Sequence, residues 1–349
     1  MRKGLVLGKF YPLHLGHVAL IRYALERADL LYVLVCASDR ESMDGNLRAR
    51  WIEDTFQSEK KVKVQFLEYS ERELPNTSQS SREVSKKWAD KILEIFDDLD
   101  VIFSSEPYGE YLAEYLNCQH IFFDPERNAV PVSATQIRQN PLHHWDFIAE
   151  AARPFFVRKI CISGTESTGK STLTQRLATY YQTEYVPEMA REIVQETDTC
   201  TMEHLYEIAA LQARTIQEKQ KKANRLLFVD TDVNITRSYT RFLFQKELKT
   251  EAWIDRANQF DLHLYLDNDS PYVQDGTRLD ERRRNELSDY HLNELRRQGI
   301  DFQVLSGDWE ERFLGAVLVV DAWFKLADNQ EPSATARKKS EARFPKDPF

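Results

Sequence analysis

The chain has 349 residues, of which 42% are hydrophobic and 30% charged, and its formal net charge is −9. That length holds two domains of ordinary size, and the composition is globular rather than disordered. No apolar run is long enough to cross a bilayer, and MRKGLVLGKF lacks the layout of a signal peptide. The acidic balance argues against a broad nucleic-acid-binding face but leaves small phosphorylated ligands open, because these need only local positive charge.

The first half alternates apolar runs with helical patterns. Gly4–Lys9, Leu31–Ala37, Val62–Leu67 and Val101–Ser104 read as strands, with helices over His17–Arg27 and Arg48–Phe56. Strands spaced by helices predict a parallel sheet covered on both faces. The pattern restarts after Asn140-Pro141 and a cluster of aromatic residues. Val157–Ser163, Leu226–Asp230, Leu262–Leu266 and Phe302–Leu305 are the next expected strands, with helices over Ser171–Tyr181 and Met202–Lys222. The expectation is α/β throughout, with two parallel-sheet domains, 1–152 and 153–327, and a polar, disordered tail over 328–349. The four cysteines, Cys36, Cys118, Cys161 and Cys200, show no paired or metal-ligand spacing. They predict free thiols in a reducing, cytoplasmic setting.

Gly8-Lys9-Phe10-Tyr11-Pro12-Leu13-His14-Leu15-Gly16-His17 follows the first strand and opens the first helix. The carboxyl end of such a strand is where open α/β sheets bind ligands, and a helix N-terminus there suits phosphate. His14 and His17 share one face of an opening turn. With no third ligand nearby, metal binding by the pair is the weaker reading. Pro131-Val132-Ser133-Ala134-Thr135-Gln136-Ile137-Arg138 is a second, hydroxyl-rich helix start with an arginine one turn on. Alone it reads as a helix cap; paired with the first element it reads as the other half of a phosphate site. Arg48 and Arg50 are candidates for the phosphate of an acceptor. Trp88 is a candidate for stacking on its ring, against core packing as the rival.

Gly164-Thr165-Glu166-Ser167-Thr168-Gly169-Lys170-Ser171 matches GxxxxGK(S/T) between a strand and a helix, with Thr172 next. Successive N–H groups there wrap phosphates, Lys170 reaches the β- and γ-phosphates, and Ser171 is a ligand for Mg²⁺. The strand Leu226–Asp230 brings Asp230 as a carboxylate for the same ion; the pattern does not separate it from Asp232, which is otherwise a candidate for the acceptor. Glu188, after a proline near a helix start, is a candidate for an acceptor sugar. Asp275–Arg278 with Arg282, Arg283 and Arg284 has the character of an arginine lid over ATP.

His14-Leu15-Gly16-His17 with Val132-Ser133-Ala134-Thr135-Gln136-Ile137-Arg138 resembles the nucleotidyltransferase superfamily marked by HxGH and a late (I/V)SxTxxR element. The resemblance implies a Rossmann-like domain where a substrate phosphate attacks the α-phosphate of ATP. Gly8, Lys9, Phe10, His14, His17, Ser133, Thr135 and Arg138 would surround the ATP. The segments GKFYPLHLGH, DPERNAVPVSATQIRQNP, RPFFVRKICISGTESTGKSTL, FVDTD and SPYVQDGTR extend the resemblance to about residue 325. There it is to the bifunctional NadR-type family, a nicotinamide-nucleotide adenylyltransferase fused to a ribosylnicotinamide kinase.

The family implies ATP, ribosylnicotinamide and nicotinamide mononucleotide as substrates, Mg²⁺ as cofactor, and NAD as product. It implies neither a nucleic-acid nor a membrane partner and leaves homo-oligomerisation open. Some members carry an N-terminal helix-turn-helix; here the sequence starts at the first catalytic strand, so DNA-binding regulation is not expected. Two alternatives stand beside this reading. One is a fused pantetheine-phosphate adenylyltransferase and dephospho-coenzyme A kinase, and the other a nucleotide sensor without turnover.

Overall fold

The structure, a computed structural model, describes residues 1–75, 81–126, 128–194, 200–269 and 280–329, with side chains described to 325. The described residues form two compact units, Met1–Arg153 and Pro154–Ala327.

The first unit is built on β1 (Lys3–Gly8), β2 (Leu30–Ser38), β3 (Val62–Tyr69), β4 (Val101–Ser104) and β5 (Gln119–Phe122). Their order is β3-β2-β1-β4-β5, and every pairing is parallel. The order reverses direction at β1, which opens a crevice beyond the carboxyl ends of β1 and β4. β1 and β2 are buried on both faces, as their near-continuous Val and Leu content requires. Leu5, Leu7, Leu34 and Ile102 pack with Trp88, Ala89 and Leu112 from the helices Arg82–Leu93 and Tyr108–Leu116. β5 lies outside the sequence expectation; its residues are half-buried or exposed, so no apolar run marks it.

The second unit holds β6 (Arg158–Gly164), β7 (Tyr185–Val186), β8 (Leu226–Asp230), β9 (Leu262–Leu266) and β10 (Gln303–Leu305). Their order is β10-β9-β6-β8-β7, again all parallel. Ile160, Ile162, Phe228 and Leu264 meet Leu173 and Leu177 of the helix Lys170–Tyr180 and Phe313, Ala316 and Val320 of the helix Trp309–Asn329. Two parallel-sheet α/β units are therefore present, with the phosphate loop at the end of the central strand. Asp275–Arg278, expected to belong to a lid, and the residues from 330 on lie outside the described residues. Among those described, no helix is long and apolar enough to cross a membrane, and all four cysteines are free.

Candidate active sites

In the first unit the chain leaves Gly8 and turns through Phe10 at φ 46, which places the Phe10 ring in the core at 1% exposure. His14 caps the helix Leu15–Leu25, its Nδ1 accepting from the Gly16 N–H at 3.1 Å. A Cβ at Gly16 would lie 2.8 Å from His14 Cε1, so the glycine makes room for that ring. The His14 and His17 rings stand 3.8 Å apart between centroids, with Phe10 edge-on to His17 at 5.0 Å. The two imidazoles thus form one paired surface at the strand-to-helix turn.

Two arginines hold that turn by its backbone. Arg48, fully buried, donates from Nη1 to the Lys9 carbonyl at 2.7 Å and pairs with Glu41 Oε2 at 2.8 Å. Arg138 donates to the Tyr11 carbonyl and to Thr135 Oγ1, so the late helix does reach the first loop. The Tyr11 ring lies between both guanidiniums, at 5.3 Å from Arg48 and 4.5 Å from Arg138. Lys9 Nζ meets Glu41 Oε1 at 2.8 Å and Glu71 Oε1 at 3.6 Å. The two glutamates offset a group of cations that would otherwise repel one another, and no motif in the sequence marks either of them.

Ser133 closes a capping box with Gln136, accepting from its N–H at 3.2 Å and donating to its Oε1 at 2.9 Å. Arg50 faces solvent, on the other side of the helix Gly45–Thr55 from Arg48. Trp88 requires a correction: it is a core residue, 2% exposed, edge-on to Tyr69 with its indole N–H bonded to the Pro75 carbonyl. Its indole is not presented to a ligand.

In the second unit Gly164 and Gly169 take φ 148 and 85, and Ser167 takes φ 61 between them. A Cβ at Gly164 would sit 2.7 Å from the Leu266 carbonyl, so both conformation and space demand glycine there. Lys170 Nζ folds back onto the Thr165 carbonyl at 2.9 Å, and Thr168 Oγ1 donates to that same carbonyl at 2.8 Å. Thr172 lines the same cavity as Lys170, next to Ser171. The loop is anchored by Arg312, 2% exposed, which donates to the Thr168 carbonyl at 2.7 Å and to the Gly307 carbonyl at 2.8 Å. Trp309, one turn earlier, lies on Gly169.

Asp230, at the end of β8, is fully buried and accepts from Ser171 Oγ at 2.6 Å. Burial, and then the nearby Glu188 carboxylate, raise its pKa to about 6, against the opposing pull of Lys170. A buried carboxylate short of positive charge beside a serine hydroxyl is a donor set that fits Mg²⁺. Asp232 caps the helix Val233–Phe244, its Oδ1 accepting from the N–H groups of Asn234 and Ile235, both at 3.0 Å.

Cys161 and His263 bring their donor atoms within 4.8 Å of the Asp232 carboxylate. Burial raises that thiol well above its ordinary range, so the trio packs around a helix cap. Gln212 joins the walls of the site, accepting from the Met189 N–H and donating to the Asp230 and Thr231 carbonyls.

Lys170, Ser171, Glu188 and Asp232 line one cavity of about 860 Å³, together with Glu166, Tyr239 and an apolar group that includes Ile208, Ile235 and Leu243. The Arg282 side chain, 88% exposed, pairs with Glu286 outside that lining. Arg284 is 1% exposed and donates to the Asn268 carbonyl, so it is a structural residue and not part of a lid.

The two folds and their sites define a protein that joins a nucleotidyltransferase-type domain to a phosphate-loop, kinase-like domain. Residues 5–140 match the cytidylyltransferase-like family and residues 159–312 the AAA domain family. The trifunctional NAD biosynthesis/regulator protein NadR of Escherichia coli (strain K12) is 32% identical over 342 residues, covering 91% of this chain and 82% of the relative. The NadR of Salmonella typhimurium (strain LT2) is 31% identical over 345 residues, with the same coverage of 91% and 82%. The chain belongs to this NadR family of NAD-biosynthesis proteins. A solved NadR protein in complex with NR shares the fold at a TM-score of 0.77, with 23% identity over 93% of this chain and 96% of that one.

Proposed function

We propose that this chain is a bifunctional NAD-biosynthesis enzyme. One site transfers the γ-phosphoryl group of ATP to the 5′-hydroxyl of ribosylnicotinamide, and the other adenylylates nicotinamide mononucleotide, giving NAD and pyrophosphate. The observation that supports it most is that Lys170, Ser171 and Glu188 line a single cavity, with the buried Asp230 accepting from the Ser171 hydroxyl. A phosphate cradle and a carboxylate for an acceptor hydroxyl meet there. A NadR relative has also been solved in complex with NAD and AMP-PNP.

In the kinase unit the loop N–H groups and Lys170 hold the β- and γ-phosphates, for which Lys170 must leave the Thr165 carbonyl. Ser171 and Asp230 would hold Mg²⁺, which supplies charge neutralisation on the phosphate oxygens. Glu188 takes the proton of the 5′-hydroxyl as its oxygen bonds to the γ-phosphorus and ADP leaves. In the transferase unit a phosphate oxygen of the mononucleotide bonds to the α-phosphorus as the bond to pyrophosphate breaks, with no covalent enzyme intermediate. His14, His17, Lys9 and Arg138 neutralise the growing charge, and the turn that carries them is kept in place by Arg48. The setting implied is cytoplasmic, with small-molecule partners alone.

The two activities are expected to be separable. Lys170→Ala removes phosphorylation of ribosylnicotinamide and spares NAD formation from the mononucleotide; His17→Ala does the reverse. Products of the full chain with ATP and Mg²⁺ are read by mass. Loss of both activities in either folded variant refutes the two-site reading, and conversion of phosphopantetheine in their place would move it to coenzyme A chemistry.

A further inference from the structure

The segment that carries Glu188 is not fixed by the sheet it leaves. β7 stops at Val186, and Pro187 has no N–H to donate, so ladder bonds do not extend to the acceptor carboxylate. β8 runs out at Asp230, and Thr231 then takes φ 72. A β-branched residue keeps that left-handed conformation only where its surroundings hold it. Two groups assigned to phosphoryl transfer thus sit on backbone that needs support from another element.

One side chain supplies that support to both. Gln212 lies within the helix Met202–Gln220 and is 5% exposed. Its Oε1 accepts from the Met189 N–H, in the peptide that follows Glu188, at 3.1 Å. Its Nε2 donates to the Asp230 carbonyl at 3.0 Å and to the Thr231 carbonyl at 3.2 Å. The partners themselves fix which way the amide points, because the N–H only donates and the carbonyls only accept. One acceptor and two donors are needed together, a set that neither a carboxylate nor an apolar side chain offers. Thr215, three residues on in the same helix, donates to Met189 Sδ at 3.6 Å, so the helix meets this segment at two points.

We propose that Gln212 is a positioning residue for phosphoryl transfer, holding the acceptor carboxylate Glu188 in register with the strand end that carries Asp230. It acts through the backbone of both groups. With the clamp made, an acceptor hydroxyl held by Glu188 meets the γ-phosphorus in line; without it, the two halves of the site drift relative to each other. The inference rests on the kinase reading above and adds what aligns its parts.

The test uses two substitutions of similar size. Gln212→Met loses all three bonds, whereas Gln212→Glu keeps the acceptor for Met189 and loses both donations. Phosphorylation of ribosylnicotinamide by the full chain is followed with ATP and Mg²⁺, below the unfolding transition of every variant. In Gln212→Met kcat is expected to fall about ten- to a hundred-fold, with KM for ATP and for the nucleoside little changed. Gln212→Glu loses kcat as well, although it fills the same space. Ile216→Ala, one turn on and fully buried, is the control for lost packing: it lowers Tm and keeps kcat.

Gln212 variants that lose no more kcat than Ile216→Ala overturn the proposal and leave Gln212 a residue of the fold. A loss confined to KM for the nucleoside also overturns it, since Gln212 would then bind substrate rather than align the site. If Gln212→Met does not fold, Gln212→Glu is read by the same criteria. A wild-type protein that does not phosphorylate ribosylnicotinamide refutes the kinase reading itself, whereas unchanged kcat in the variants refutes the positioning alone.

Discussion

Replacing Asp230 with asparagine is expected to stabilise the ligand-free kinase unit while abolishing its phosphoryl transfer. The Asp230 carboxyl has its pKa raised from 3.8 to about 6, mainly by burial and next by Glu188. Because the folded value lies above the unfolded one, protonation favours the fold. The stability linked to this group is fully present below about pH 3.8 and is lost as pH rises through about 6. At about 1.4 kcal/mol per unit the whole loss is roughly 3 kcal/mol, of which roughly 2 kcal/mol falls between about pH 4.5 and 7.5. Asparagine keeps the shape without the charge, so its stability relative to wild type should grow by that amount over the same interval.

Calorimetry of the full chain reads this directly, and the transition that rises with ATP and Mg²⁺ belongs to the kinase unit. For a unit of this size about 2 kcal/mol corresponds to roughly 4–8 °C in the Tm difference between the two pH values. Mg²⁺ with ATP should raise Tm of the wild type more than that of the variant. A Tm difference equal at both pH values, or a variant less stable than wild type at about pH 7.5, would refute the account of Asp230 as a carboxylate awaiting a cation.

Other residues give sharper contrasts between stability and activity. Arg48→Ala leaves Lys9 as the partner of the buried Glu41 and frees the Lys9 carbonyl, and should cost about 2 kcal/mol in denaturant unfolding, while NAD formation from the mononucleotide falls and kinase turnover stays. Arg48→Lys should not rescue it, because one ammonium cannot serve both the Lys9 carbonyl and Glu41 in the same geometry. Arg312→Ala frees the Thr168 and Gly307 carbonyls and should raise KM for ATP more than KM for the acceptor in steady-state kinetics. Ser133→Ala should cost about 1 kcal/mol of stability as a lost helix cap. A fall in adenylyl transfer beyond what that loss explains would show that the hydroxyl also touches phosphate.

The phosphate loop was legible in the sequence because its geometry is local. One strand, two glycines at positive φ and one helix start fix it within a single stretch of chain. The HxGH turn was legible for the same reason, yet what holds it was not. Arg48 reaches it from a helix beyond β2, and Glu41 and Glu71 come from the loops after β2 and β3. Trp88 shows the converse difficulty, since a ring that stacks on a ligand and a ring that packs on Tyr69 have the same local sequence. Asp230 and Asp232 were not separable by pattern, because only the folded turn shows which carboxylate meets Ser171 and which caps a helix. β7 has two residues and so carries no periodicity at all. Tyr239 carries no sequence signal because the direction of a helical side chain depends on what the helix packs against.

The charges of the two sites argue for the order of the proposed reactions. Ribosylnicotinamide enters the kinase with one positive charge, and phosphorylation adds about two negative ones. The Glu188 carboxylate lining the kinase cavity favours the first species and repels the second once ADP and its ion have gone. The transferase turn carries Lys9, Arg48 and Arg138 around it, against Glu41 and Glu71, which pair with the first two. A mononucleotide expelled by a carboxylate is thus the species that a cationic turn retains. Excess mononucleotide should accordingly be a weak product inhibitor of the kinase and a tight ligand of the transferase. Strong product inhibition of the kinase in the wild-type protein would contradict this division of charge.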